Sequence, residues 1–421
     1  MIQAPENETI DDSFDSHCIG PQIFEDSLLA QYIYGSFSPC ICIITLVTNI
    51  LVCVVLCEKS MRSPTNVLLV AMAISDTVTG LWPLPIYLAF YSTSRYNEYI
   101  PYEWCNTFFY LTDHLPTIFH TVSIWLTVCL AGQRYLFVCR PTVAKRFCTI
   151  NKTLKTIAVV YLLSLAFHSL RMAEIMYHPI ELSSRVDADA NTTACFGTFA
   201  SIVAFDVVTF YSVHYTVRTI LVNLVPCVLL VLFNVVLIHA MNQAAKRRSQ
   251  LLKQNMRMES KRLEEKNSTT MMLVVVVGIF LLVEIPLAIF LLILVINNSK
   301  LKPLISDASI ETISLFLNFL ILLSYPLNFF IYCLMSRQFR KSFKKLVMCD
   351  SYCKKFFGSL NCVNCRRNSY RETEQLKRNG SVKNASECYE TATNVVELKS
   401  IKCSEKPSGL LTIEQNSVDV V

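Results

Sequence analysis

Seven separate stretches of this chain are each apolar over about the 20 residues that a helix needs to cross a bilayer, and nothing else in the sequence constrains the fold as tightly. Residues 38–57 and 219–237 contain no charge. Residues 67–91 hold only Asp76, 271–296 only Glu284, and 115–138 only Arg134, near the end. Residues 157–172 are the least apolar, with His168 and Arg171 in the last turns, and 312–335 are uncharged. A lipid core offers the backbone no hydrogen bonds, so each stretch must satisfy its own amides as a helix. The expected fold is therefore all-α: a seven-transmembrane helix bundle, a short amphipathic helix after span seven and a disordered cytoplasmic tail. The expected domains are 1–35, 36–347 and 348–421. With 53% hydrophobic and only 17% charged residues, the chain falls below the roughly one quarter charged of soluble domains. A secreted disulfide scaffold, a disordered chain and most soluble enzymes are thereby excluded.

Charge sets the expected orientation. Residues 1–35 carry no Lys or Arg but seven acids, from Glu6 to Asp26. The loop between spans five and six carries Lys246, Arg247, Arg248, Lys253, Arg257, Lys261, Arg262 and Lys266. Basic loops stay inside, which puts the N-terminus outside and the tail in the cytoplasm of a multi-pass plasma-membrane protein. The net charge of +6 then reports inward-facing loops rather than a nucleic-acid surface. The acidic start does not read as a signal peptide, so span one is expected to act as the insertion signal. Asn7-Glu8-Thr9 and Asn191-Thr192-Thr193 lie outside in this topology and are glycosylation candidates at Asn7 and Asn191. The halves show no repeat, which favours a receptor over a transporter.

Position sorts the 18 cysteines. Cys42, Cys53, Cys57, Cys129, Cys227 and Cys333 fall inside spans and read as small apolar residues. Cys105 precedes span three, and Cys195 stands alone between spans four and five; a disulfide between them would tie the second outer loop to span three on the oxidising side. Cys18 and Cys40 are left either to pair or to stay free. Beyond the last span, Cys349, Cys353, Cys362 and Cys365 read as palmitoylated juxtamembrane thiols, with Cys349 and Cys353 as the candidates; zinc ligation or unmodified thiols are the alternatives.

Polar residues inside spans are costly and usually functional. Here they are Asn49 in span one, Asp76 in span two, Ser123 and the triplet Gln133-Arg134-Tyr135 in span three, Pro226 in span five, Pro286 in span six, and Asn328 with Tyr332 in span seven. In order and spacing this set resembles the rhodopsin-like family of G-protein-coupled receptors over residues 36–347. The departures narrow the resemblance. Gln133 replaces the family's Asp in Asp-Arg-Tyr, Asn328-Phe329-Phe330-Ile331-Tyr332 lacks the usual proline, and Glu284 stands where a Trp usually precedes Pro286. With Met61-Arg62-Ser63-Pro64-Thr65-Asn66, these are similar to the sex-peptide/myoinhibitory-peptide receptor branch of invertebrate neuropeptide receptors. Cys105 lies about one helical turn further from Arg134 than the family's disulfide cysteine does.

The resemblance implies an activation switch made of Gln133, Arg134, Tyr135, Glu284, Pro286, Asn328 and Tyr332. It implies a mid-bundle sodium and water site made of Asn49, Asp76, Ser123, Ser324 and Asn328, with Na+ as an allosteric ion. Glu284 would bring a second carboxyl near Asp76; two acids in a low dielectric share a proton or a cation. Gln133 removes the acid that usually restrains Arg134, so a weaker inactive-state lock and measurable basal activity are expected. Span three carries Pro116 where amine receptors place an ammonium-binding Asp, which argues against a monoamine. The ligand-pocket candidates are His120, Arg171, Glu174, His214, Arg218 and Asn318, with Asp113 beside them. The acidic N-terminus, Asp187 and Asp189 would steer a basic peptide, and an amidated C-terminus would suit a mixed pocket.

On the inner side the resemblance implies docking of a heterotrimeric G protein, of the inhibitory Gi/o class, between spans three, five and six. Phe339, Phe343, Leu346 and Val347, interleaved with Arg340, Lys341, Lys344 and Lys345, form an amphipathic stretch expected to lie against membrane lipids. Arg366-Arg367-Asn368-Ser369 offers Ser369 to a kinase, and phosphates on this tail would recruit arrestin after a receptor kinase acts. Asp419-Val420-Val421 could be read by a PDZ domain. No phosphate loop, His-Glu-x-x-His or nucleophile elbow suggests an enzyme. The rivals kept open are a receptor for RFamide or myosuppressin-like peptides, a non-signalling scavenger, and a transporter.

Overall fold

The computed structural model describes residues 18–19, 27–93, 100–182, 192–204, 206–254, 256–298 and 305–356. Asn7, Asn191, Asp187, Asp189 and Ser369 lie outside the described residues, as do the side chains of Cys18, Cys349 and Cys353. Among the described residues seven helices are long and apolar enough to span a membrane. They are Leu28–Leu56, Pro64–Tyr91, Tyr102–Cys139, Ile150–Ala173, Thr209–Lys253, Asn267–Asn297 and Ala308–Met335, spans one to seven. Their outward faces carry bare apolar side chains, with Leu162 66%, Leu163 65% and Leu282 75% exposed. Such a surface is stable only against lipid.

The chain divides into two compact units, one through Phe343 and one from Lys344. The helix Arg337–Phe356 begins in the first, and the second is described as far as Phe356. In the first, Phe339 is 1% exposed and packs on Phe329 and Tyr332 of span seven. On the apolar side of this amphipathic stretch, the Phe339 ring is thus seated against span seven.

Sequence punctuation sets several helix ends. Ser63 caps span two by accepting a hydrogen bond from the Asn66 amide at 3.2 Å, with Pro64 in the first turn. Pro83 interrupts span two, and Pro326 interrupts span seven just after Tyr325. Span three begins at Tyr102, ahead of the apolar stretch, because Tyr102–Trp104 and Cys105–Phe109 are already helical. Near the Cys105 end, four spans each contain a π-helical turn: Ile33–Phe37, Tyr87–Tyr91, Tyr110–His114 and Thr219–Leu224. At one of them Gly35 lies so close to span two that a methyl there would stand 2.7 Å from the Tyr91 carbonyl oxygen. Only glycine permits that approach.

A small sheet caps the Cys105 end, which hydropathy did not foretell. Strand β1 (Cys18–Ile19) pairs antiparallel with β3 (Thr192–Phe199), which pairs antiparallel with β2 (Ile175–Leu182). The disulfide Cys105–Cys195 fixes the middle of β3 to the start of span three, with the Cα atoms 6.2 Å apart. Around it Ile33, Tyr34, Ile86, Phe90, Phe108 and Leu315 form one buried apolar cluster, so the sheet is anchored to spans one, two, three and seven together. Cys40 carries a free thiol.

Candidate functional site

Beneath the sheet, the end of span four and the short turn after it deliver charge to span three. The Arg171 guanidinium meets Asp113 at 2.7 Å and Glu174 at 3.6 Å, and lies 5.9 Å from the Tyr215 ring centre in span five. Arg218 comes within Coulombic reach of both acids, while its Nε is buried with no hydrogen-bond partner among the described residues. His214 Nε2 and Glu174 Oε2 are likewise unpartnered there. Burial pushes the Glu174 carboxyl above the usual carboxylate range, against the pull of Arg171. Rings enclose the group: Phe109 stacks on Tyr177 at 5.2 Å, Tyr211 on Tyr215 at 5.9 Å, and Phe210 on His214 at 6.2 Å. Of the pocket candidates, Arg171, Glu174, His214 and Arg218 thus converge, with Asp113 at their centre. Asn318 instead bonds to Tyr34 of span one.

One level deeper is a cavity of about 20 Å³, room for one water-sized occupant, lined by Asp76, His120, Ser123, Glu284, Ser324 and Asn328 among others. The Asp76 carboxylate accepts from Ser123 Oγ at 2.5 Å and from Asn328 Nδ2 at 3.3 Å. These bonds join spans two, three and seven, as the order of polar residues implied. Asn49 is buried but does not line the cavity. His120 does line it, well apart from the Arg171 group in role: its Nε2 is 3.2 Å from Glu284 Oε1.

At the other end of the bundle, Gln133 donates to Thr153 Oγ1 at 3.0 Å, linking spans three and four. Arg134 has a buried Nε without a hydrogen-bond partner among the described residues, and its guanidinium lies 5.9 Å from the Phe137 ring centre. Tyr135 packs on Phe233, 5.8 Å between centres, and Tyr332 is 3% exposed. Arg248 of span five meets Glu264 at 2.7 Å, and Arg337 stands 3.9 Å from the same carboxylate.

A bundle with a charged cluster near the sheet at one end, a polar cavity at its middle and a buried Arg at the other end has relatives among known proteins. The family described as Serpentine type 7TM GPCR chemoreceptor Srw matches residues 36–350. The sex peptide receptor of Drosophila melanogaster is 35% identical over 324 residues, covering 76% of this chain and 73% of that protein. The chain belongs to the rhodopsin-like G-protein-coupled receptors, on the sex peptide receptor branch. Sex peptide receptor-related protein 2 of Caenorhabditis elegans is 31% identical across 75% of this receptor and 71% of its own length. The thyrotropin-releasing hormone receptor of Gallus gallus is 27% identical across 73% of this receptor and 77% of its own length. The family is not enzymatic, and its members are multi-pass proteins of the plasma membrane.

Several ties within the receptor escaped sequence reasoning. Thr121 bonds to His168 Nε2 at 2.9 Å and Ser75 to Tyr161 at 2.7 Å, fastening span four to spans two and three. His168 and Tyr161 were polar outliers in the least apolar span, and that was their signal.

Proposed function

We propose that this receptor takes an amidated neuropeptide of the myoinhibitory/sex-peptide type at the Arg171 group and passes the signal to a heterotrimeric G protein at the Arg134 end. One observation carries this reading: the group is left with unmet donors and an unmet acceptor together. Arg171 pairs with Asp113 and Glu174, yet its Nε and Nη1, together with Arg218 Nε and Glu174 Oε2, lack hydrogen-bond partners among the described residues. A carboxamide accepts from Arg218 and donates to Glu174. A free carboxylate would face Asp113 and Glu174, and an ammonium would face two guanidinium groups. The names of the relatives, which are peptide or peptide-hormone receptors, support the same ligand class. RFamide or myosuppressin-like peptides also end in a carboxamide and are the second reading.

In this scheme the acidic N-terminus is extracellular, Asn7 and Asn191 carry glycans, and Cys349 and Cys353 carry palmitate. The G protein is of the Gi/o class, and a receptor kinase and arrestin end the signal through the tail around Ser369. In the test, cells expressing the receptor meet a panel of amidated peptides and their free-acid forms while G-protein dissociation is recorded. The expected result is a response to tryptophan-amidated peptides, weakened at least about 100-fold by the free acid and abolished by Arg134→Ala. Equal potency of amide and acid would sink the ligand reading.

The Asp76 cavity fits a sodium ion in size and in its donors, among which are the carboxylates of Asp76 and Glu284 and the hydroxyls of Ser123 and Ser324. A sodium ion there would neutralise a carboxylate whose hydrogen-bond partners among the described residues are Ser123 and Asn328. Replacing external sodium by choline should raise agonist affinity several-fold, and Asp76→Asn should erase that effect. Identical affinities in both salts would discard the ion.

A further inference from the structure

At the Arg134 end the helices of spans five and six run on past their apolar stretches, one as far as Lys253 and the other starting from Arg257. A groove of about 460 Å³ lies between these extensions. Met241, Arg248, Ser249 and Leu252 line one wall, at the spacing of a single helix face, and Glu264 and Ser268 stand on the other. One ion pair crosses it: Arg248 Nη2 meets Glu264 Oε2 at 2.7 Å. The other Glu264 oxygen is 3.9 Å from Arg337, at the start of the helix after span seven. Both side chains of the crossing pair are well exposed, at 40% and 38%, and such a tie is weak enough to be exchanged for a stronger one.

Ser249 supplies the means. Its side chain is exposed, and Lys246-Arg247-Arg248 immediately precede it, with Lys246 and Arg247 exposed as well. Three consecutive cations before a hydroxyl suit a kinase whose substrate cleft is acidic. The helix ends one turn later: Gln254 leaves helical geometry at φ −87° and ψ 10°, so opening the last turn presents Ser249 as extended chain. In the transfer, Ser249 Oγ bonds to the γ-phosphorus of ATP, the bond from that phosphorus to the β,γ-bridging oxygen breaks, and ADP leaves. The hydroxyl proton passes to the kinase's carboxylate base. The new group carries about −1.5 to −2 charges in the groove that Glu264 lines. It repels that carboxylate and competes with it for Arg248 through three oxygens, and Lys253, four residues on, supports the phosphate from the same helix face. Glu264 is then left to Arg337.

We propose that Ser249 is a phosphorylation site for an arginine-directed serine kinase, and that its phosphate takes Arg248 from Glu264 and so unties span six from span five. The inference rests on the cytoplasmic placement of this loop in the reading above, and not on which ligand the pocket takes or which G protein answers.

Full-length receptor in lipid nanodiscs, both faces open to solution, is incubated with magnesium ATP and a kinase of the cyclic-AMP-dependent class. Phosphopeptides are read by mass spectrometry, and the distance between a label pair on the two extensions is recorded before and after. Phosphate is expected on Ser249 in wild type and not in S249A, with R247A slowing it by about tenfold or more. The label distance should lengthen on phosphorylation of wild type and stay fixed in S249A. E264Q, which breaks the crossing pair without any kinase, should start at the longer distance. A kinase that modifies a synthetic peptide of residues 243–254 but leaves Ser249 of the receptor bare would overturn the site. Phosphate on Ser249 at an unchanged distance, or E264Q at the wild-type distance, would overturn the exchange of Arg248. The same phosphopeptide is sought in cells with that kinase activated. Its absence there, after success in nanodiscs, would overturn the cytoplasmic placement of the loop rather than the chemistry of the groove.

Discussion

A Cys105→Ser receptor is expected to lose agonist affinity by about 100-fold, close to 2.7 kcal/mol, together with much of its surface population. The bond closes 90 residues of chain, which in a soluble protein would stabilise by between about 4 and 5 kcal/mol. That figure is an upper bound here, because the bilayer holds spans three and four in both states and leaves less entropy to remove. The local effect is larger. Without the bond the middle of β3 loses its anchor in the apolar cluster of Ile86, Phe90 and Phe108, and the sheet beside the Arg171 group is held by backbone pairing and the stacking of Tyr177 on Phe109. Cys195→Ser should match Cys105→Ser, and the double change should be no worse than either, since both delete one interaction. Radioligand saturation on intact cells measures it; affinity within about threefold of wild type would refute the role of the sheet as a fixed roof.

Arg171→Ala is the second large loss. It removes the cation shared by Asp113 and Glu174 and leaves two acids facing each other. Breaking a buried pair typically costs about 3–5 kcal/mol; Asp113 is 36% exposed, which places the expectation near the lower end of that range. Thermal unfolding of purified receptor should show a clear fall in Tm. Adding Asp113→Asn and Glu174→Gln to Arg171→Ala neutralises the stranded acids, so stability should recover while the agonist response does not. Recovery of both would make the group purely structural.

The seven spans were legible because each had to satisfy its own backbone in lipid, and hydropathy reads that requirement directly. Their ends were less so: Cys105–Phe109 is helical although Asn106 and Thr107 dilute its hydropathy, and span seven starts at polar residues ahead of 312. The β2–β3 pair was missed, although Thr192-Thr193-Ala194-Cys195-Phe196-Gly197-Thr198-Phe199 is rich in β-branched and aromatic residues, because an apolar-run search is blind to short strands. Asp76, Ser123 and Asn328, which the family resemblance grouped in one site, do contact one another. The His120–Glu284 contact did not: nothing in either sequence neighbourhood says that positions 164 residues apart face each other at one depth. His120 was accordingly expected among ligand contacts, and Asn318 with it, whereas packing gives the first to Glu284 and the second to Tyr34.

The four π-helical turns carry a consequence for how such a receptor diversifies. A π turn fits one more residue than an α turn into a full rotation, so deleting that residue restores a regular helix at small energetic cost and leaves everything beyond it facing as before, whereas one deletion in an unbroken α-helix rotates the rest by about 100°. In spans one, two, three and five the part beyond is the stretch near the Cys105 end, and the part left in place contains Asp76, Ser123 and Arg134. A single-codon insertion or deletion at such a turn can therefore reshape the turn itself, near an arriving ligand, while the helix on both sides keeps its register. The two halves of each helix are free to evolve on separate clocks.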